Sequence, residues 1–228
     1  MTGGPPPSEP GAARRRAGFE RLYATHPDRF GGPPSPFSAW AAEVVAAEGI
    51  REGRWVDLGC GLGRDARRFA RDGFDVLATD YATTAIARAR ADPSNPPNLR
   101  FEAFDAATAV QALPAGSVSA VYAHALYMML PDAEFAAVLH DLSRILRPGG
   151  LHLFAVRATS DPAATAASLD GPTVRPLGPS GPARPSEGSY RFFDLAAVDL
   201  TTARSGLARL RAEHAGSRHF WYVADRRP

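Results

Sequence analysis

The segment Val56-Asp57-Leu58-Gly59-Cys60-Gly61-Leu62-Gly63 constrains the fold more than any other stretch of the chain. An apolar run of strand type ends in a turn with glycines at alternate positions. A helix signal follows over residues 65–72, with Ala66, Phe69 and Ala70 at helical spacing and arginines on the other face. Glycine lets a backbone take positive φ and approach a ligand closely. Open α/β sheets hold their ligands at the carboxyl edge of the strands, where such a turn lies. A dinucleotide fingerprint, G-x-G-x-x-G counted from Gly59, needs a third glycine at position 64, and Arg64 stands there.

The remainder of the chain alternates strand and helix signals, the pattern of a parallel sheet covered by helices. Residues 54–58, 75–79, 99–103, 118–123 and 151–156 read as five strands. Residues 83–91 read as a helix, and the three prolines of 92–98 as loop. The clearest helix is 132–146, where Phe135, Val138, Leu139, Leu142, Ile145 and Leu146 form one apolar stripe. Pro148-Gly149-Gly150 stops it. Residues 19–23 and 37–47 look helical around the turn Gly31-Gly32-Pro33-Pro34. Asp194 is placed to cap a helix running to Ala203, and 206–212 and 218–224 read as a closing hairpin. Residues 159–189 are rich in Pro, Gly, Ser and Ala; they are either disordered or a lid over an active site.

A chain of 228 residues suits one domain with a full core. Residues 1–18 read as a disordered leader, with no apolar run of a secretory signal, and 19–228 as the domain. All 26 basic residues are Arg, which excludes a Schiff-base lysine and the lysine of a phosphate-binding P-loop. The single cysteine, Cys60, excludes an internal disulfide. A net charge of +2 with interspersed acids points away from a nucleic-acid face, and no apolar run is long enough to span a bilayer. The expectation is a cytoplasmic monomer or homodimer. No grouping of His, Asp and Glu has metal-ligand spacing, so no catalytic metal is expected.

The glycine turn, with Asp57 before its first glycine, resembles motif I of class I S-adenosylmethionine-dependent methyltransferases. Asp80 and Asp105, after the second and third strands, and Leu146-Arg147-Pro148-Gly149-Gly150 resemble later motifs of that family. The resemblance spans about residues 23–225 and implies a Rossmann-like, seven-stranded, mostly parallel sheet with helices on both faces and the last strand antiparallel. It implies S-adenosylmethionine as cofactor, S-adenosylhomocysteine as product and in-line methyl transfer, which the missing ligand spacing makes metal-free. A looser resemblance to tellurite-resistance and thiol methyltransferases rests on His124-Ala125-Leu126-Tyr127-Met128-Met129-Leu130, on Tyr190-Arg191-Phe192-Phe193-Asp194 and on Phe220-Trp221-Tyr222-Val223. It implies a small-molecule acceptor, a thiol or other soft nucleophile. The alternatives are a natural-product O- or N-methyltransferase and a non-catalytic S-adenosylmethionine-binding protein. The [DNS]-P-P-[YFW] signature of amino-methylating DNA enzymes is absent at strand four, where Ala123-His124-Ala125-Leu126 stands.

The resemblance implies cofactor contacts from Asp57, Gly59, Cys60, Gly61, Gly63, Asp80, Tyr81, Asp105, Ala106 and Ala123. Asp80 would take the ribose hydroxyls, since a carboxylate accepts two hydroxyl hydrogen bonds at once. Asp105 would meet the adenine amino group, though an Asp there also starts helices. His124 and Tyr127 are the candidate catalytic residues, each with a packing role as the alternative. Tyr23, His26, Met128 and Arg157 are candidates for the substrate side, with Phe30, Arg218 and His219 as weaker ones.

Overall fold

The computed structural model describes residues 10–26, 30–130, 132–162, 174–176 and 189–228. Seven strands form one sheet: β1 (Arg54–Leu58), β2 (Asp75–Thr79), β3 (Leu99–Glu102), β4 (Val118–His124), β5 (Leu146–Arg157), β8 (Ala208–His214) and β9 (Phe220–Arg226), in the order β3-β2-β1-β4-β5-β9-β8. Pairing is parallel from β3 across to β5, and β9 is antiparallel to both β5 and β8. Two short strands, β6 (Val174–Pro176) and β7 (Ser189–Arg191), pair separately. The chain steps outward from β1 to β3, then returns to place β4 on the other side of β1. That reversal opens a crevice at the carboxyl ends of β1 and β4.

Alternation along the strands decides which helices cover which face. Val56, Leu58, Val121 and Ala123 point to one side, where they pack with α5 (Ala106–Ala112), α6 (Asp132–Ile145) and α7 (Leu195–Ser205). Trp55, Ala120 and Tyr122 point to the other, against α2 (Pro36–Ala47), α3 (Arg64–Arg71) and α4 (Thr83–Ala91). The apolar stripe of α6 is buried as its spacing predicts, from Phe135 to Ile145.

The structure corrects the sequence expectations at four places. Residues 10–18, expected as leader, belong to α1 (Pro10–Thr25), which buries Phe19, Leu22 and Tyr23; residues 1–9 lie outside the described residues. Helix α5 carried no periodic signal over its seven residues of Ala, Thr, Val and Gln. Strand β5 begins at Leu146, which pairs with Val118 before an irregular stretch; pairing resumes at Leu151 opposite Ala120, so Pro148-Gly149-Gly150 lies inside the strand. Of 159–189, the stretches 163–173 and 177–188 lie outside the described residues, and the described 174–176 is strand. No helix of the described residues is long and apolar enough to cross a membrane.

Candidate functional site

The turn after β1 is held from two sides. Gly61 has φ of 54°, and a Cβ there would stand 2.7 Å from the Tyr23 hydroxyl. Gly63, with φ of 76°, precedes α3, and a Cβ there would stand 2.4 Å from the Phe101 ring. Both positions therefore need glycine for conformation and for space. Asp80, just past β2, accepts the Gly61 N–H at Oδ2 (2.9 Å) and the Ala82 N–H at Oδ1 (2.8 Å). Burial outweighs these two bonds and pushes its pKa up to about 6.

A cleft with two chambers opens at this edge, and Phe19, Tyr23, Gly59, His124 and Met129 line both. The first chamber adds Asp80, Tyr81, Phe104, Ala106, Leu126 and Glu134. The second, about 270 Å³, adds Asp57, Cys60, Asp65, Met128, Arg157 and Phe220. Burial, then Asp65 and Asp80, raise the Asp57 carboxyl well above its ordinary value. Burial likewise pushes the Cys60 thiol up, which disfavours a reactive thiolate. Arg157 ends β5, pairs with Asp161 at 2.8 Å and lies over the Phe220 ring.

The second chamber contains a polar cluster. Asp65, in the first turn of α3, accepts the Ser35 N–H (2.6 Å), the Ser35 hydroxyl (2.8 Å) and the Tyr122 hydroxyl (2.8 Å). His124 Nδ1 lies 3.4 Å from Asp65 Oδ2. Ser35 is fixed in turn because its hydroxyl caps α2 through the Ser38 N–H.

Several expected site residues take other places. Tyr127 is 1% exposed in the core, hydrogen-bonded to His152 Nε2 at 2.7 Å and packed on Phe135 and Phe154. Burial, then Asp225, push its hydroxyl above the ordinary tyrosine range, so it is not a base facing the cleft. Ala123 is wholly buried under α6, because β4 turns alternate residues away from the cleft. His26 is exposed and bonds to Thr25 Oγ1 at 2.8 Å, outside the lining of both chambers. Asp105 caps α5, with its two oxygens accepting the Thr108 N–H and hydroxyl; Phe104 and Ala106 line the first chamber beside it. Arg218 and His219 form a short turn before β9 and do not line either chamber.

Asp65 is a cleft residue that the motifs did not single out, and Phe220 entered only as the first residue of a family-like segment, with no role assigned. Phe220 had a signal: β9 is antiparallel, so its first residue pairs with Arg157 at the carboxyl end of β5. Asp65 had none, since an acid in a helix's first turn is ordinary.

Strand order, glycine turn and cleft define the fold of class I S-adenosylmethionine-dependent methyltransferases. Residues 56–150, from β1 into β5, match the family model described as a methyltransferase domain. Trans-aconitate 2-methyltransferase of Deinococcus radiodurans is 35% identical over 106 residues, 46% of this chain and 38% of that protein. The secondary metabolism regulator laeA of Coprinopsis cinerea is 30% identical over 132 residues, 58% of this chain and 31% of that protein. The chain thus spans about a third of the length of these two relatives. Burkholderia thailandensis 1,6-didemethyltoxoflavin-N1-methyltransferase, solved with 1,6-didemethyltoxoflavin and S-adenosylhomocysteine, shares the fold at a TM-score of 0.73. It is 17% identical, with 99% of this chain and 93% of that chain covered.

Proposed function

We propose that this protein transfers a methyl group from S-adenosylmethionine to a small molecule held in the second chamber. The observation that carries this is the two-chambered cleft at the β1–β4 switch point, with Asp80 and the glycine turn in its wall. The cofactor fits these residues: the turn needs glycines where a Cβ would close it, and Asp80 offers a half-buried carboxylate to the ribose hydroxyls. When bound, it supplies a methyl group on a sulfonium. Tyr81, Phe104, Ala106 and Leu126 would enclose adenosine, and Asp57 and Tyr23 would hold the remainder of the cofactor. Met128, Phe220 and Arg157 belong to the acceptor side. The open second chamber supports an enzyme over a non-catalytic binding protein. A thiol or other soft acceptor would ask no more of these walls than positioning and exclusion of water; a protic oxygen or nitrogen would also need a base.

Calorimetry with S-adenosylhomocysteine tests the reading. Binding should weaken as pH falls through about 6, because a protonated Asp80 loses acceptor capacity for ribose. The unliganded protein should respond in the opposite sense. A carboxyl raised from about 3.9 unfolded favours the folded state in acid, and that contribution is lost as pH rises through about 6. Affinity that is flat from pH 5 to 8 would remove Asp80 from the site, and binding of a nicotinamide dinucleotide would overturn the reading of the glycine motif. Activity should also be indifferent to chelator, since no three metal-ligating side chains cluster among the described residues. Loss to chelator with recovery on adding magnesium would overturn the metal-free reading.

A further inference from the structure

Positioning and exclusion of water leave the polar cluster of the second chamber without a task. Three donors from Ser35 and Tyr122 pin the Asp65 carboxylate, and that carboxylate faces His124 Nδ1. The ring is further held between Phe37 and Phe220, with centroids at 5.6 and 6.1 Å. With Nδ1 turned to Asp65, Nε2 is the nitrogen left for the cleft. We propose that His124 is the general base of the reaction, that Asp65 is its positioning residue, and that the acceptor is a planar ring bearing an O–H or N–H group. This rests on methyl transfer as the activity of the cleft.

Nε2 takes the proton from the acceptor's oxygen or nitrogen. The electron pair left there forms the bond to the methyl carbon as the carbon–sulfur pair returns to sulfur, which becomes neutral. The imidazolium then gives its proton to water. Asp65 stabilises that imidazolium and holds the tautomer that leaves Nε2 basic. It remains an anion because the bonds from His124 and Ser35 outweigh burial and bring its pKa to about 2. A contact of 3.4 Å is long, as such contacts often are before substrate binds. The ring requirement comes from the walls, where Tyr23, Phe30 and Phe220 offer aromatic faces and Met128 and Met129 adaptable thioethers. A thiol ionises unaided to a useful extent near neutral pH and would not need this base.

Asp57 from β1 and Arg157 from β5 face the same chamber, as do Cys60 and Arg64 from the turn and α3. A pH profile alone would therefore mix titrations, and the imidazole must be read directly. Nitrogen-15 NMR of the full chain, saturated with S-adenosylhomocysteine, should show neutral His124 protonated on Nδ1. Asp65→Ala should weaken that preference, because no carboxylate then accepts the Nδ1 proton. An Nε2-protonated ring in the wild type, which needs no variant to observe, overturns the pairing, as does a tautomer preference unmoved by Asp65→Ala.

Turnover uses hydroxycoumarin and lumazine as protic ring probes and thiophenol as the thiol. The wild type should methylate at least one ring probe. His124→Ala should lower its kcat about 100-fold or more while KM moves little, with a smaller loss on thiophenol. An equal loss on both classes, no loss, or methylation of neither ring probe overturns the proposal. In each case intact S-adenosylhomocysteine binding leaves the methyl-transfer reading standing, and its absence takes that reading down instead.

Discussion

Asp80→Ala should weaken S-adenosylhomocysteine binding by about 1.5–3 kcal/mol, roughly ten- to hundredfold in Kd, the scale of hydrogen bonds to a charged group. Two effects add in the same direction. The ribose hydroxyls lose an ionised acceptor, and the Gly61 and Ala82 N–H groups lose the partner that holds the turn against β2. Asp80→Asn separates them. One amide oxygen still accepts one N–H, but the charge is gone, so the loss should fall between wild type and the Ala variant. Titration calorimetry at pH 7.5, where Asp80 is ionised, is the measurement. An Ala variant that binds within about twofold of wild type would show that Asp80 neither meets the ribose nor sets the turn for the cofactor.

The strands around the cleft were legible because two periods coincide there. Val56 and Leu58 alternate with Trp55, and Ala66, Phe69 and Ala70 follow at helical spacing, so β1 and α3 were visible together. Asp194 as a helix cap and the closing hairpin were legible for the same local reasons. What escaped depends on packing between distant segments. Helix α1 carries three arginines in its first two-thirds and buries only one short stripe; it is held by groups far along the chain, such as the Thr83 and Thr84 N–H groups, which donate to its Glu20. The face of a strand-end residue is also undecided until β4 is registered on β1. That register sends His124 to the cleft and Ala123 to the core, one residue apart. Tyr127 sits three residues past His124, yet it follows a chain reversal at Ala125, whose φ is 58°, and so lands in the core. The pairing of Asp65 with Ser35 and Tyr122 joins three elements across 87 positions, and no local pattern carries it.

Phe69→Ala should cost about 3–5 kcal/mol of folding free energy, more than any cleft substitution considered above. The ring is 1% exposed, with its centroid 4.2 Å from that of Trp55 and 4.9 Å from that of Tyr122. Its removal leaves a void between α3 and the two central strands, and neither neighbour can fill it. Trp55 is pinned by Phe74 on its other side, and Tyr122 by its bond to Asp65. Phe69→Leu keeps most of the volume and should cost markedly less. Arg68→Ala is the control, because its pair with Asp72 is solvent-accessible and such pairs contribute at most about 1 kcal/mol. Thermal unfolding should place the Phe69→Ala midpoint roughly 6–20 °C below wild type for a domain of this size. Tyr122 also lines the second chamber and bonds to Asp65, so losing its support should reach the cleft even though Phe69 lines neither chamber. A loss below about 1 kcal/mol would mean that α3 does not seat on β1 and β4 as described, and the position of Asp65 beside His124 would lose its foundation.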